Sequence, residues 1–114
     1  MNDLVEPLAH WASGSSGTEA AVELLIETGY WLLRAEFVAQ AVTRSGDGAQ
    51  INWDVASELA ESLVCSRGER FVLRLACSLA DASKTVAMAE IGSIDGRNLA
   101  RVQEALRTAK FGWS

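Results

Sequence analysis

Apolar residues recur every three to four positions along most of this chain, and polar or glycine-rich interruptions mark where each helical stretch begins and ends. Leu4, Leu8 and Trp11 share one helical face at i, i+4 and i+7. Asp3 is placed to cap that segment with Glu6 three residues on, and Pro7 lies in the first turn, where a missing N–H is no loss. The run Ser13-Gly14-Ser15-Ser16-Gly17 then favours flexibility over packing. The pattern predicts an amphipathic N-terminal arm over 1–12, a linker over 13–17 and one helical domain over 18–114.

Within that domain Ser16 and Glu19 have the spacing of a capping box, opening a helix through Ala21, Val22, Leu24, Leu25 and Ile26 that ends near Gly29. A second helix is expected from Tyr30–Leu33 through Phe37, Val38, Ala41 and Val42, broken by Ser45-Gly46-Asp47-Gly48. Asn52 is the expected cap of a third, carried by Val55, Ala56, Leu59, Ala60 and Leu63. Ser66 and Glu69 form another capping box, before a stripe of Phe71, Val72, Leu75, Ala76 and Leu79 that suits the central helix. Residues 85–91 predict a short helix closed by Gly92, and Asp95 caps a last one with Leu99, Val102, Leu106 and Ala109 on its inner face. Only Ala49–Ile51 has any strand character. The expectation is an all-α protein: a single orthogonal or irregular bundle of about five to six helices, ending in a helix-turn-helix-like pair.

Composition changes this picture little. At 114 residues, 49% hydrophobic and 22% charged, the chain suits one globular domain and excludes disorder throughout. Glu23, Glu27, Arg34 and Glu36 interrupt the longest apolar stretch, so no membrane partner is expected. No Lys or Arg precedes Arg34, which is unlike a secretory signal, and a cytoplasmic location is expected. Cys65 and Cys77 stand twelve positions apart with His10 the only imidazole, a set that suits neither a disulfide scaffold nor a zinc site. The glycines match no phosphate-binding loop, and no nucleophile has an evident base. The expectation is a non-enzyme without metal or cofactor.

Charge is more informative. The net charge of −5 divides unevenly: residues 1–64 hold ten acids and two bases, and residues 65–114 hold eight bases and five acids. Such a split fits a nucleic-acid surface in one half, halves that attract each other across subunits, or simply two solvated faces. Glu19, Glu23 and Glu27 form a like-charged stripe at i, i+4 and i+8 that invites a basic partner. With Leu4, Leu8 and Trp11 they are the candidate protein-binding residues. At the other end, Val86–Ile91, the turn Gly92–Asp95 and the helix from Gly96 to Ala109 outline a helix-turn-helix whose Arg97, Arg101, Arg107 and Lys110 are candidate phosphate contacts. A pI near 4.8 opposes that reading. Trp31 and Trp53 are expected core anchors, and Trp11 and Trp113 expected partner anchors.

The segments Leu25-Ile26-Glu27-Thr28-Gly29-Tyr30-Trp31-Leu32, Leu63-Val64-Cys65-Ser66-Arg67-Gly68-Glu69-Arg70, Ala80-Asp81 and Ile94-Asp95-Gly96-Arg97-Asn98 together resemble a group of uncharacterised small helical proteins of actinobacteria and their phages. The resemblance covers roughly residues 20–110 and implies fold and host range, without an active site. The reading that results is a non-enzymatic protein-interaction module, a regulatory or phage-encoded adaptor acting through helical surfaces, with homodimerisation as one mode. The alternative is a helix-turn-helix DNA-binding regulator using residues 85–110.

Overall fold

A computed structural model describes residues 3–112 of the chain. Three of the expected helix starts form as the caps dictate. Asn52 Oδ1 accepts from the amides of Asp54 and Val55 to open a helix over Trp53–Ser62. Ser66 and Glu69 form a reciprocal capping box at the head of Arg67–Ala80. Asp95 accepts from the Asn98 amide to open Gly96–Phe111. Each cap satisfies amides that the first helical turn leaves without a carbonyl partner.

The full order is α1 (Val5–Ala12), α2 (Ser16–Thr28), a 3₁₀ turn (Trp31–Leu33), α3 (Ala35–Ala41), β1 (Val42–Ser45), β2 (Gly48–Ile51), α4 (Trp53–Ser62), α5 (Arg67–Ala80), a second 3₁₀ turn (Met88–Ser93) and α6 (Gly96–Phe111). The fold is thus all-α in its main body, a helical bundle carrying one small hairpin. Helix α2 lies at the centre, packed against α1, α5 and α6. Gly17 at the head of α2 meets Leu79 of α5, while Thr28 at its foot shares a hollow with Glu69, Val72 and Asn98. Both α5 and α6 therefore run antiparallel to α2, and Gly112 beyond α6 returns to Ser16 and Glu19.

Several sequence expectations are corrected. Of the arm expected over 1–12, the described residues 3–12 are not free: Leu4 (2% exposed), Leu8 (0%) and Ala12 (1%) belong to the same core as α2 and α5. Asp3 does not cap α1, since Leu4 holds that position in helical conformation and Asp3 instead pairs with Arg44 of β1 at 2.6 Å. The proposed linker is partly helix, because α2 begins at Ser16 with Ser15 in the capping position, one residue before the expected box. Its hydroxyl turns to Thr18 rather than to a backbone amide.

The expected helix over residues 30–42 is divided. Gly29, at φ +72°, closes α2 in the left-handed region that favours glycine, and Tyr30 enters the 3₁₀ turn. Arg34 is extended, with its guanidinium held by Tyr30 Oη, the Val64 carbonyl and the Glu36 carboxylate. Glu36 above all, then Tyr30, pushes the Arg34 pKa up against an opposing effect of burial. Val42 leaves the helix to pair with Ile51, so Ala49–Ile51 is one half of an antiparallel hairpin. Gly46 (φ +59°) takes the first central position of its two-residue turn, as a type II′ turn requires.

The 85–91 helix becomes the 3₁₀ turn Met88–Ser93, which packs on α5 while α6 packs on α2. Ser93 donates to the Glu90 carbonyl three residues back, and the Glu90 and Ile94 amides bond likewise to the carbonyls of Ala87 and Ile91, the i→i−3 pattern of the tighter helix. Arg74 of α5 pairs with Glu90 of this turn and with Glu61 of α4, and Lys84, ahead of the turn, pairs with Asp54 and Asp81.

Gly17 tests the packing directly. A Cβ there would collide with the Leu79 carbonyl oxygen, a backbone atom that cannot rotate aside. Gly17→Ala is therefore expected to cost about 1–3 kcal/mol, as overpacking does. Gly92→Ala, with open space around the added carbon, is expected to be neutral or to stabilise by less than about 1 kcal/mol. Urea unfolding of the two variants checks the contrast, and equal midpoints would contradict the close approach of α2 and α5.

Candidate functional site

Helix α6 is amphipathic with its inner face centred on Val102, Ala105 and Thr108, all buried against α2. This face is rotated from the expected one. Leu99 (37% exposed) and Leu106 (41%) stand at its margin instead of within it, and Phe111 (72%) is open to solvent. The rotation follows from what α2 offers: Glu23 accepts a hydrogen bond from the Thr108 hydroxyl, which draws Thr108 inward. A polar residue on the inner face is the signal that periodicity of apolar residues passes over.

Along the opposite margin of α6, Arg97, Ala100, Arg101 and Glu104 face Glu23 and Glu27 of α2 across an open groove of about 430 Å³. Two residues of the acidic stripe, Glu23 and Glu27, and two of the candidate phosphate contacts thus lie on facing walls of one groove. Arg101 also donates to Asn98 Oδ1 at 3.2 Å. The charge asymmetry between the two halves of the chain is accordingly met, in part, inside one molecule.

The candidate residues do not assemble into one surface. Leu4 and Leu8 are core, and Trp11 is half-buried with its ring stacked on Trp53 at 6.4 Å. Glu19 is buried, Glu23 is hydrogen-bonded to Thr108, and only Glu27 of the three is exposed. Arg101 and Lys110, nine positions apart, project about 180° apart around the helix, and Arg107 about 120° from Arg101. A single DNA backbone cannot engage all four cations of α6 as a row. Trp113 lies outside the described residues. The exposed Leu33 (69%) and Val64 (86%), bridged by the Arg34 bond to the Val64 carbonyl, were not singled out by the sequence, since each lies within an otherwise apolar run.

Other hollows lie on the surface of the described residues. One of about 410 Å³ between α1 and the hairpin is lined by Pro7, His10, Trp11, Thr43 and Gln50 among others, with His10 exposed. Another, about 200 Å³, gathers Thr28, Tyr30, Trp31, Glu69, Val72 and Asn98. Its polar atoms are engaged: Thr28 donates to the Leu24 carbonyl, Tyr30 Oη accepts from Arg34, and Glu69 serves the capping box. Burial pushes the Cys77 thiol up to about 12, so it stays protonated and unreactive at neutral pH, while Cys65 is half-buried. Among the described residues no three His, Cys, Asp or Glu side chains are grouped to hold a metal ion. No helix among them is long and apolar enough to cross a membrane.

Compared with protein-family models, with curated proteins and with solved structures, the chain matches none.

Proposed function

We propose that this protein is a non-enzymatic protein-interaction module, a regulatory or phage-encoded adaptor of the cytoplasm, whose contact surface is the outer face of α6. The observation that carries this reading is the one-sided packing of that helix. Sixteen residues long, it is held by α2 along one face and leaves Leu99 and Leu106, two turns apart, in contact with water. Partly exposed leucines at i and i+7 on a rigid helix are the anchors that helix-mediated recognition uses.

Residues 1–12 are withdrawn from the binding role expected of them, because Leu4 and Leu8 serve the core. The DNA-regulator reading draws less support. Arg97 and Arg101 face carboxylates of the same molecule, and the remaining two cations lie elsewhere around the helix.

A photo-crosslinking side chain at Leu106 tests the proposal in cells that express the chain. Adducts of defined mass are expected from Leu106, and none from the same group at Glu58, an exposed position on α4. Equal labelling from both positions, or none from Leu106, would remove α6 as a contact surface.

A further inference from the structure

We infer that the occupant of the outer face of α6 is a second copy of this chain, lying antiparallel so that each Leu99 meets the partner's Leu106 and each Asp95 the partner's Lys110. This rests on the reading of α6 as the interaction surface and names its partner. Asp95, Leu99, Gln103, Leu106 and Lys110 follow one another at spacings of four, four, three and four, so all five lie within about 80° of one another around the helix axis. Asp95, Gln103 and Lys110 are exposed, and the two leucines partly so.

This row is self-complementary about its centre. Asp95 and Lys110 lie equally far from the midpoint between Val102 and Gln103, as do Leu99 and Leu106. A two-fold axis through that midpoint places acid on base at both ends and leucine on leucine between them, the arrangement an isologous interface demands. A parallel pair would instead set Asp95 against Asp95 and Lys110 against Lys110. Gly96, small and exposed at the N-terminal end of the row, lets the partner backbone approach there. Lys110 already bends over the Phe111 ring at 5.4 Å, which keeps its ammonium near the helix end. Asp95 retains one carboxylate oxygen on the Asn98 amide as its cap.

A contact about 24 Å long between two single helices falls at the small end of stable interfaces, so a dissociation constant of about micromolar order is expected. Sedimentation of the full chain from low to several hundred micromolar concentration (about two decades) reads it. The wild-type chain is expected to pass from 12.2 kDa to twice that mass. Leu106→Glu, folded by circular dichroism, is expected to weaken the dimer roughly a hundredfold, because it buries an unpaired charge. In a Cys65→Ser background, Gln103→Cys beside the two-fold axis is expected to form a disulfide-linked dimer on mild oxidation, and Glu104→Cys, turned toward the Glu23 and Glu27 groove, is not.

A chain that stays monomeric at every concentration overturns the dimer. If the Leu106 photo-crosslink then yields an adduct of another mass, the interaction module survives with a different partner; if it yields none, both readings fall. A dimer that withstands Leu106→Glu, or links through Glu104→Cys as readily as through Gln103→Cys, places self-association on another face and overturns the inference too.

Discussion

Deleting residues 1–12 is expected to abolish the cooperative unfolding transition or to lower the unfolding free energy by about 5 kcal/mol or more. Leu4 and Leu8 each withdraw a full side chain from water, at about 1.5–3 kcal/mol apiece, and Ala12 completes the contact with α2. Trp11 covers part of Trp53 at the mouth of α4. Removing α1 forfeits these terms and also uncovers Ala49 and Ile51 of the hairpin, against which α1 rests. Domains of this size hold only about 5–15 kcal/mol in total, so the loss takes a large share of the margin. The exposed Asp3–Arg44 pair adds little to it. Leu8→Ala isolates the core term and is expected to cost about 2–5 kcal/mol. Urea unfolding followed by circular dichroism reads both variants. A deletion whose midpoint matches that of the intact chain would restore α1 to the status of a tethered arm.

Trp31→Ala is expected to be the most damaging single substitution, at about 3–5 kcal/mol. The indole is fully buried, with Tyr30 packed edge-on at 5.0 Å and Phe37 tilted against it at 5.4 Å. Its Nε1 donates to the Glu69 carbonyl at 2.9 Å, fastening the turn after α2 to the first turn of α5 across 38 residues of chain. The Arg34 guanidinium lies 5.8 Å from its ring centre, completing the enclosure. Alanine would leave a cavity bounded by three elements, none of which can collapse without disturbing the capping box of α5. Trp31→Phe separates the two contributions: it keeps most of the apolar volume, loses the indole hydrogen bond, and is expected to cost about 1–2 kcal/mol. Equal losses for the two variants would show that the hydrogen bond, and not the ring, holds the turn in place.

How much of this was legible in the chain differs by element. Helices α4, α5 and α6 are announced by caps, because an Asn, Ser or Asp side chain satisfies amides within three residues and needs no distant partner. The hairpin was half visible: Ala49–Ile51 has strand character, but Val42 continues a helical period, and Val42–Ser45 becomes a strand only by pairing with Gly48–Ile51. The binding candidates were least legible. Glu19, Glu23 and Glu27 are equivalent by spacing, yet the first is buried, the second is bonded to Thr108 of α6 and only the third is exposed.

By itself the sequence determined what short-range physics determines: an all-α chain, the heads of α4, α5 and α6, the turn glycines Gly29 and Gly46, and a core built on Trp31, Phe71 and Leu75. Tertiary structure alone decided which apolar face of α1 is core and which of α6 is surface. Amphipathicity states only that a helix has a face to cover, and what covers it depends on contacts between residues far apart in the chain. The same is true of charge. Arg97 and Arg101 read as free cations until α6 is laid antiparallel to α2, where they face Glu23 and Glu27 across seventy or so residues of intervening chain.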